Sequence, residues 1–116
     1  MNFILNGEKT IETRWSINKI APFGVVKPGD LLIMKETGKK ATATAIVDRV
    51  LFFELTPQIA DEIKEEYGKE ICIHKFNNWE EVRLKNYATL MWIKDVKTIL
   101  PTDVPKSCGS GWIVLE

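Results

Sequence analysis

One histidine and two cysteines are all that this 116-residue chain offers for imidazole or thiol chemistry. A ribonuclease mechanism that passes protons between two imidazoles is therefore excluded. Cys72 and Cys108 are too few and too widely separated for a disulfide framework, and no CxxC pair occurs. Cys72-x-His74 needs two further ligands to hold zinc, and Cys108 is the one obvious candidate, so structural cysteines are the expectation. Nothing local marks Cys108 and His74 as a catalytic pair. The chain has no GxSxG elbow, no HExxH and no GxxxxGK, so neither a nucleophile nor a metal or cofactor is expected. No apolar run approaches the ~20 residues of a membrane span. The opening MNFILNGEK has neither the basic leader nor the apolar segment of a secretory signal. No membrane partner and a cytoplasmic location are expected.

An excess of one charge is missing too, with 16 Lys+Arg against 16 Asp+Glu. Bulk-charge coating of duplex nucleic acid is thereby disfavoured, and an anion site must be a local concentration of charge. What is present is an ordinary globular mixture, 45% hydrophobic and 28% charged, enough for one core. Residues 1–116 are expected to form a single domain.

Turn signals divide the chain. MNFIL ends at Asn6-Gly7 and resembles a last helical turn, and residues 9–16 favour extended backbone. Lys27-Pro28-Gly29-Asp30 is a turn feeding a strand over 31–35. ATATAIVDRVLFFE (41–54) is a long strand candidate with small residues on both faces, which suits tight curvature. The period then changes. Thr56 caps a helix with Pro57 in its first turn, and Ile59, Ile63 and Tyr67 recur every four residues. The acids and lysines between them read as a solvated face. Asn78 is placed to cap a short second helix, WEEVRLK. Alternation returns over 87–100, with Ala88, Leu90 and Trp92 on one side and Thr89, Met91 and Ile93 on the other. WIVLE closes the chain as a strand. Strands, a helical insertion and strands again predict an α+β domain around a small, mostly antiparallel barrel or strongly curved sheet.

The stretch NGEKTIETRW (6–15) poses the functional question. On a strand, Ile11, Thr13 and Trp15 share one face, and Glu12 and Arg14 share the other. A surface Glu12–Arg14 ion pair with a solvated Lys9 is the plain reading, contributing about 0–1 kcal/mol.

Gly7-x-Lys9-x-x-Glu12-x-Arg14 resembles the GxKxxExR signature of ASCH domains, a branch of the PUA-like superfamily. The Lys27-Pro28-Gly29-Asp30 turn, the alanine-rich strand, Tyr87-Ala88-Thr89-Leu90 and Gly111-Trp112-Ile113-Val114 are also similar, in the same order along nearly the whole chain. The resemblance implies a PUA-like β-barrel with flanking helices and a cleft lined by Lys9, Glu12 and Arg14, with Gly7 making the turn ahead of them. It also implies a module that binds or acts on RNA. Relatives usually carry a strand ahead of the short helix that leads into the signature, and it has no counterpart here: either the start is truncated or one strand edge is uncovered, and an open edge makes a homodimer an expectation beside a monomer. The related amidohydrolases of acetylated cytidine share the position of Lys9 but have threonine where Glu12 stands, so their activity does not transfer directly.

Two uses of the trio follow. As a binding site for RNA or a (modified) nucleotide, Arg14 offers a rigid fork to phosphate, Lys9 a mobile charge, and Glu12 an acceptor for an exocyclic amine. Trp15 is a stacking candidate for an unpaired base, although alternation points it away from Glu12 and Arg14. Lys106 and Ser107, in the Gly/Ser-rich loop KSCGSGW, are candidates for a second phosphate. As a hydrolase site for an acylated nucleoside, Glu12 acts as general base with Lys9 and Arg14 stabilising the oxyanion, or Lys9 itself is the base. The residues alone do not choose.

Overall fold

The computed structural model describes Gly7, residues 9–20, 22–35, 39–72 and 79–102, and the backbone of 112–115. Among the described residues, five strands and two helices run in the order β1 (Ile11–Ser16), β2 (Leu31–Lys35), β3 (Ala41–Glu54), α1 (Pro57–Ile71), α2 (Trp79–Arg83), β4 (Tyr87–Thr102) and β5 (Trp112–Leu115). The strands form one sheet of order β1-β4-β3-β2-β5. Pairings β1–β4, β4–β3 and β3–β2 are antiparallel, and β5 joins β2 in parallel. The expected α+β, mostly antiparallel architecture is present. The MNFIL segment, Asn78, His74 and Cys108 lie outside the described residues, whereas Cys72 is a free, buried cysteine.

The long strands curl because their ladders slip. β3 pairs with β4 through register shifts at Ala41/Ala43, Thr44/Ile46 and Val47/Arg49, and Asp95 of β4 takes a left-handed φ of 51°. Extra residues of this kind bend a strand and sharpen its twist. Ala41, Ala43 and Ala45 are fully buried, small enough to allow the strands a tight curl. On the inner face Leu32, Val47 and Met91, from three successive strands, meet beneath Val26. Beyond them Met34, Ala43 and Ala45 pack with Ile93 and Val96.

The outer face holds the helix. Thr56 has extended backbone and its hydroxyl accepts from the Ile59 amide at 3.2 Å, with Pro57 in the first turn. α1 then lays Ile59, Ile63, Tyr67 and Ile71 against Ile11, Trp15, Ala88, Leu90 and Trp92. The four-residue recurrence is thus the packing stripe. Tyr67 meets Trp92 edge-on at 5.3 Å, and burial together with Glu66 pushes its phenol pKa up.

The Lys27–Asp30 turn fastens the loop before β2 to the middle of β3. Gly29 has φ 93°, the conformation that favours glycine at the third position of a type II turn after proline. Its amide donates to the Val47 carbonyl at 2.8 Å, and the Val47 amide donates to the Asp30 carbonyl at 2.9 Å. The Asp30 side chain is buried and accepts from the Lys27 amide at 3.0 Å and from Lys27 Nζ at 2.9 Å. Asp30→Ala strips the acceptor from that amide and is expected to cost about 1–3 kcal/mol. Denaturant titration checks this, and a change below ~0.5 kcal/mol contradicts it.

Candidate functional site

The signature begins in a turn whose backbone needs glycine. Gly7 has φ 82°, and a Cβ built there meets nothing within 4 Å, so the requirement is conformational and not one of space. Thr10 then clamps the chain. Its amide donates to the Glu70 carbonyl at the end of α1 (2.9 Å), and its carbonyl accepts from Ile93 of β4 (3.2 Å). Lys9 is therefore held at a fixed place where helix, β1 and β4 meet.

From there the strand alternates as expected. Ile11 and Thr13 are buried, while Glu12 and Arg14 are half-buried on the other side. Register gives their neighbours: Glu12 lies opposite Met91 and Arg14 opposite Thr89, and β3 sets Val50 and Phe52 beside those two. Directly opposed residues share a sheet face. Met91 belongs to the inner cluster and is fully buried, and Thr89 is 1% exposed. Glu12 and Arg14 therefore sit on the curled sheet's inner face, at its β1 edge.

Lys9 joins them. Its Nζ lies 3.4 Å from Glu12 Oε1, with the two side chains only 16% and 14% exposed. The same oxygen accepts the Thr13 amide at 3.1 Å, which orients the carboxylate. The plain expectation of a solvated Lys9 is thus corrected: Lys9 is sheltered and salt-bridged to Glu12. A sheltered ammonium–carboxylate pair beside a guanidinium can hold an anion, accept from an amine, or move a proton.

Trp15 is not brought to this group. The pleat turns it to the outer face, where it packs into the α1 cluster and meets Trp79 edge-on at 5.9 Å. Its role as a base-stacking residue beside Arg14 is corrected accordingly. Trp92 is likewise on the outer face, under Arg49 at 4.5 Å. Lys106 and Ser107 lie outside the described residues. No group of three or more His, Cys, Asp or Glu suited to a metal occurs among the described residues, and no described helix is long and apolar enough to cross a membrane.

Aromatic neighbours of Arg14 escape a reading of the sequence alone. Phe52 stands two strands away in the same row, and Tyr87 lies one same-face step along β4. Phe23, from the loop before β2, contacts both, at 5.3 and 4.9 Å between ring centres. The doublet Phe52-Phe53 was a signal, but its facing depends on a bulge that the residues do not announce.

No family model matches the sequence, and no curated protein matches it. Solved structures do. The crystal structure of ASCH from Zymomonas mobilis is similar with a TM-score of 0.59 at 16% identity, covering 89% of this chain and 66% of that one. A point-mutant form of the same Zymomonas mobilis protein gives the same TM-score and identity, covering 89% of this chain and 68% of that one. The chain thus spans about two thirds of the length of these structures. At this identity the likeness shows the fold alone, a small α+β fold similar to that of the ASCH structure.

Proposed function

We propose that the inner face at β1 binds single-stranded RNA or a nucleotide through Lys9, Glu12 and Arg14. The observation that supports this most is the Lys9–Glu12 contact at 3.4 Å between two side chains that are both more than four-fifths covered. Sheltering two charged side chains costs solvation that a surface strand need not lose, and sheltered, oriented charges recognise ligands better than solvated ones. Arg14 takes the phosphate as a fork, Lys9 adds charge, and Glu12 receives an exocyclic amine.

A labelled single-stranded hexaribonucleotide, titrated by anisotropy, tests the reading. Arg14→Ala is expected to weaken binding about 10-fold or more, since a charged hydrogen bond is worth ~1.5–3 kcal/mol. With two or three phosphates engaged, log K should fall with log salt at a slope no steeper than about −2. Undiminished affinity in Arg14→Ala overturns the assignment.

The same contact supports a second reading, hydrolysis of an acylated nucleoside. Glu12 takes a proton from water as the hydroxide attacks the acyl carbon, Lys9 and Arg14 steady the oxyanion, and the proton passes to the leaving amine. Turnover of an N-acylated nucleoside that vanishes in Glu12→Gln while binding persists selects this reading.

A further inference from the structure

We infer that Phe23, Phe52 and Tyr87 form a second subsite on this face, where the base of the nucleotide adjoining the one at Arg14 stacks. The inference rests on the binding reading above and adds to it a place and a chemistry for the neighbouring base.

Placement comes first. Arg14, Thr89 and Phe52 are successive partners across β1, β4 and β3, so they form one row on one sheet face. Two strand spacings separate Arg14 from Phe52, roughly 9–10 Å, within reach of a dinucleotide. Tyr87 sits in the next row, opposite Ser16 on one side and Glu54 on the other.

Exposure comes second. Phe52 remains 38% exposed, and Ile20 and Val25 in the adjoining loop are 58% and 59% exposed. Residues placed only to fill a core would be sealed, as Leu90 and Met91 are at 0%. The three rings also meet at steep angles, 63° for Phe23–Phe52 and 59° for Phe23–Tyr87, so none is stacked flat upon another.

Charge decides the occupant. Lys19 Nζ lies 5.8 Å from the centre of the Phe23 ring, which places a cation beside the aromatic group. Aromatic surface with a cation beside Phe23 and another in the Phe52 row suits a flat base carried on an anionic backbone, the arrangement by which unpaired bases are held. Glu54, opposite Tyr87 on β3, repels phosphate at that row and leaves the backbone toward Arg14.

The test compares hexaadenylate with an abasic ribose-phosphate hexamer of equal length and charge, using the wild-type chain and Phe52→Leu. Phe52→Leu keeps apolar volume at a partly exposed position, and an unchanged melting temperature confirms its fold. The wild type should bind hexaadenylate at least 10-fold more tightly than the abasic strand. Phe52→Leu should lose about 5-fold or more of the hexaadenylate affinity and none of the abasic affinity. Equal binding of both strands by the wild type, or an equal loss for both in Phe52→Leu, overturns the stacking subsite and leaves the Arg14 site standing. Binding of neither strand overturns both. Self-association that Phe52→Leu abolishes, without a base-dependent change in affinity, assigns the patch to a second copy of the chain and also overturns the subsite.

Discussion

Replacing Leu90 by alanine is expected to lower the free energy of unfolding by about 2–5 kcal/mol, a large part of what a domain of this size possesses. Leu90 has no exposure and lies in β4 between β1 and β3, opposite Thr13 and Leu51. On the outer face it packs in one cluster with Ile11, Ile63, Ile71 and Ala88. Neighbours fixed by two ladders and a helix cannot collapse into the space a lost isobutyl group leaves, so the cavity cost adds to the transfer cost. Urea titration should show a lower midpoint at an unchanged slope. Leu84, 76% exposed in the turn after α2, serves as the internal contrast. Leu84→Ala should stay within about 0.5 kcal/mol of wild type. Similar losses at both positions contradict the packing described for the α1–sheet interface.

The second large effect is expected at Glu12. Glu12→Ala removes the carboxylate 3.4 Å from Lys9 Nζ and the acceptor of the Thr13 amide. Deleting one side of a sheltered ion pair leaves a poorly solvated charge behind, and the expected cost is about 2–3 kcal/mol, below the ~3–5 kcal/mol of a fully buried pair. Two comparisons isolate the cause. Glu12→Gln keeps an oxygen for the Thr13 amide and should cost less than Glu12→Ala. Lys9→Met combined with Glu12→Leu removes both charges and should be more stable than Glu12→Ala alone. If the double variant proves the weaker, the pair contributes net stability and its shelter is not a sign of a site.

Much of this architecture could be read from residues. Each strand with a two-residue period and bounded turns formed at its expected place: Leu31–Lys35 after a Pro-Gly turn, and Ala41–Glu54 before a Thr-Pro helix start. The final strand over 112–115 also formed where it was expected. α1 followed its cap and its four-residue stripe. These signals are local, and local chemistry is sufficient to set them. The sidedness of β1 was legible for the same reason, since alternation alone parts Trp15 from Arg14.

What the residues did not convey is non-local. That Glu12 should meet Met91, or Arg14 share a row with Phe52, depends on register, which no run of residues states. Plain alternation from Val47 would carry Phe53 to the inner face. The register shift between Val47 and Arg49 reverses the sides, so Phe52 stands there and Phe53 joins the helix cluster. One additional residue in a strand thus changes which ring can border the charged group. The salt bridge from Lys9 to Glu12 was missed for a related reason. Lys9 precedes the regular strand, and its direction is set by the Thr10 contacts with α1 and β4, not by the pleat.

The pairing of Ile11 with Trp92 and of Leu31 with Trp112 joins the earliest and latest thirds of the molecule. Each such junction closes a long loop, whose entropy must be spent before any contact returns it. β3 and β4, separated only by the helices, are the reasonable nucleus, and β1 can dock only onto a β4 already in place. The signature strand is then among the last parts to assemble and the first to detach. Ligand held by Arg14 and Lys9 would fasten that margin, so amide exchange at Glu12 and Thr13 should slow on binding well before the centre of β3 responds.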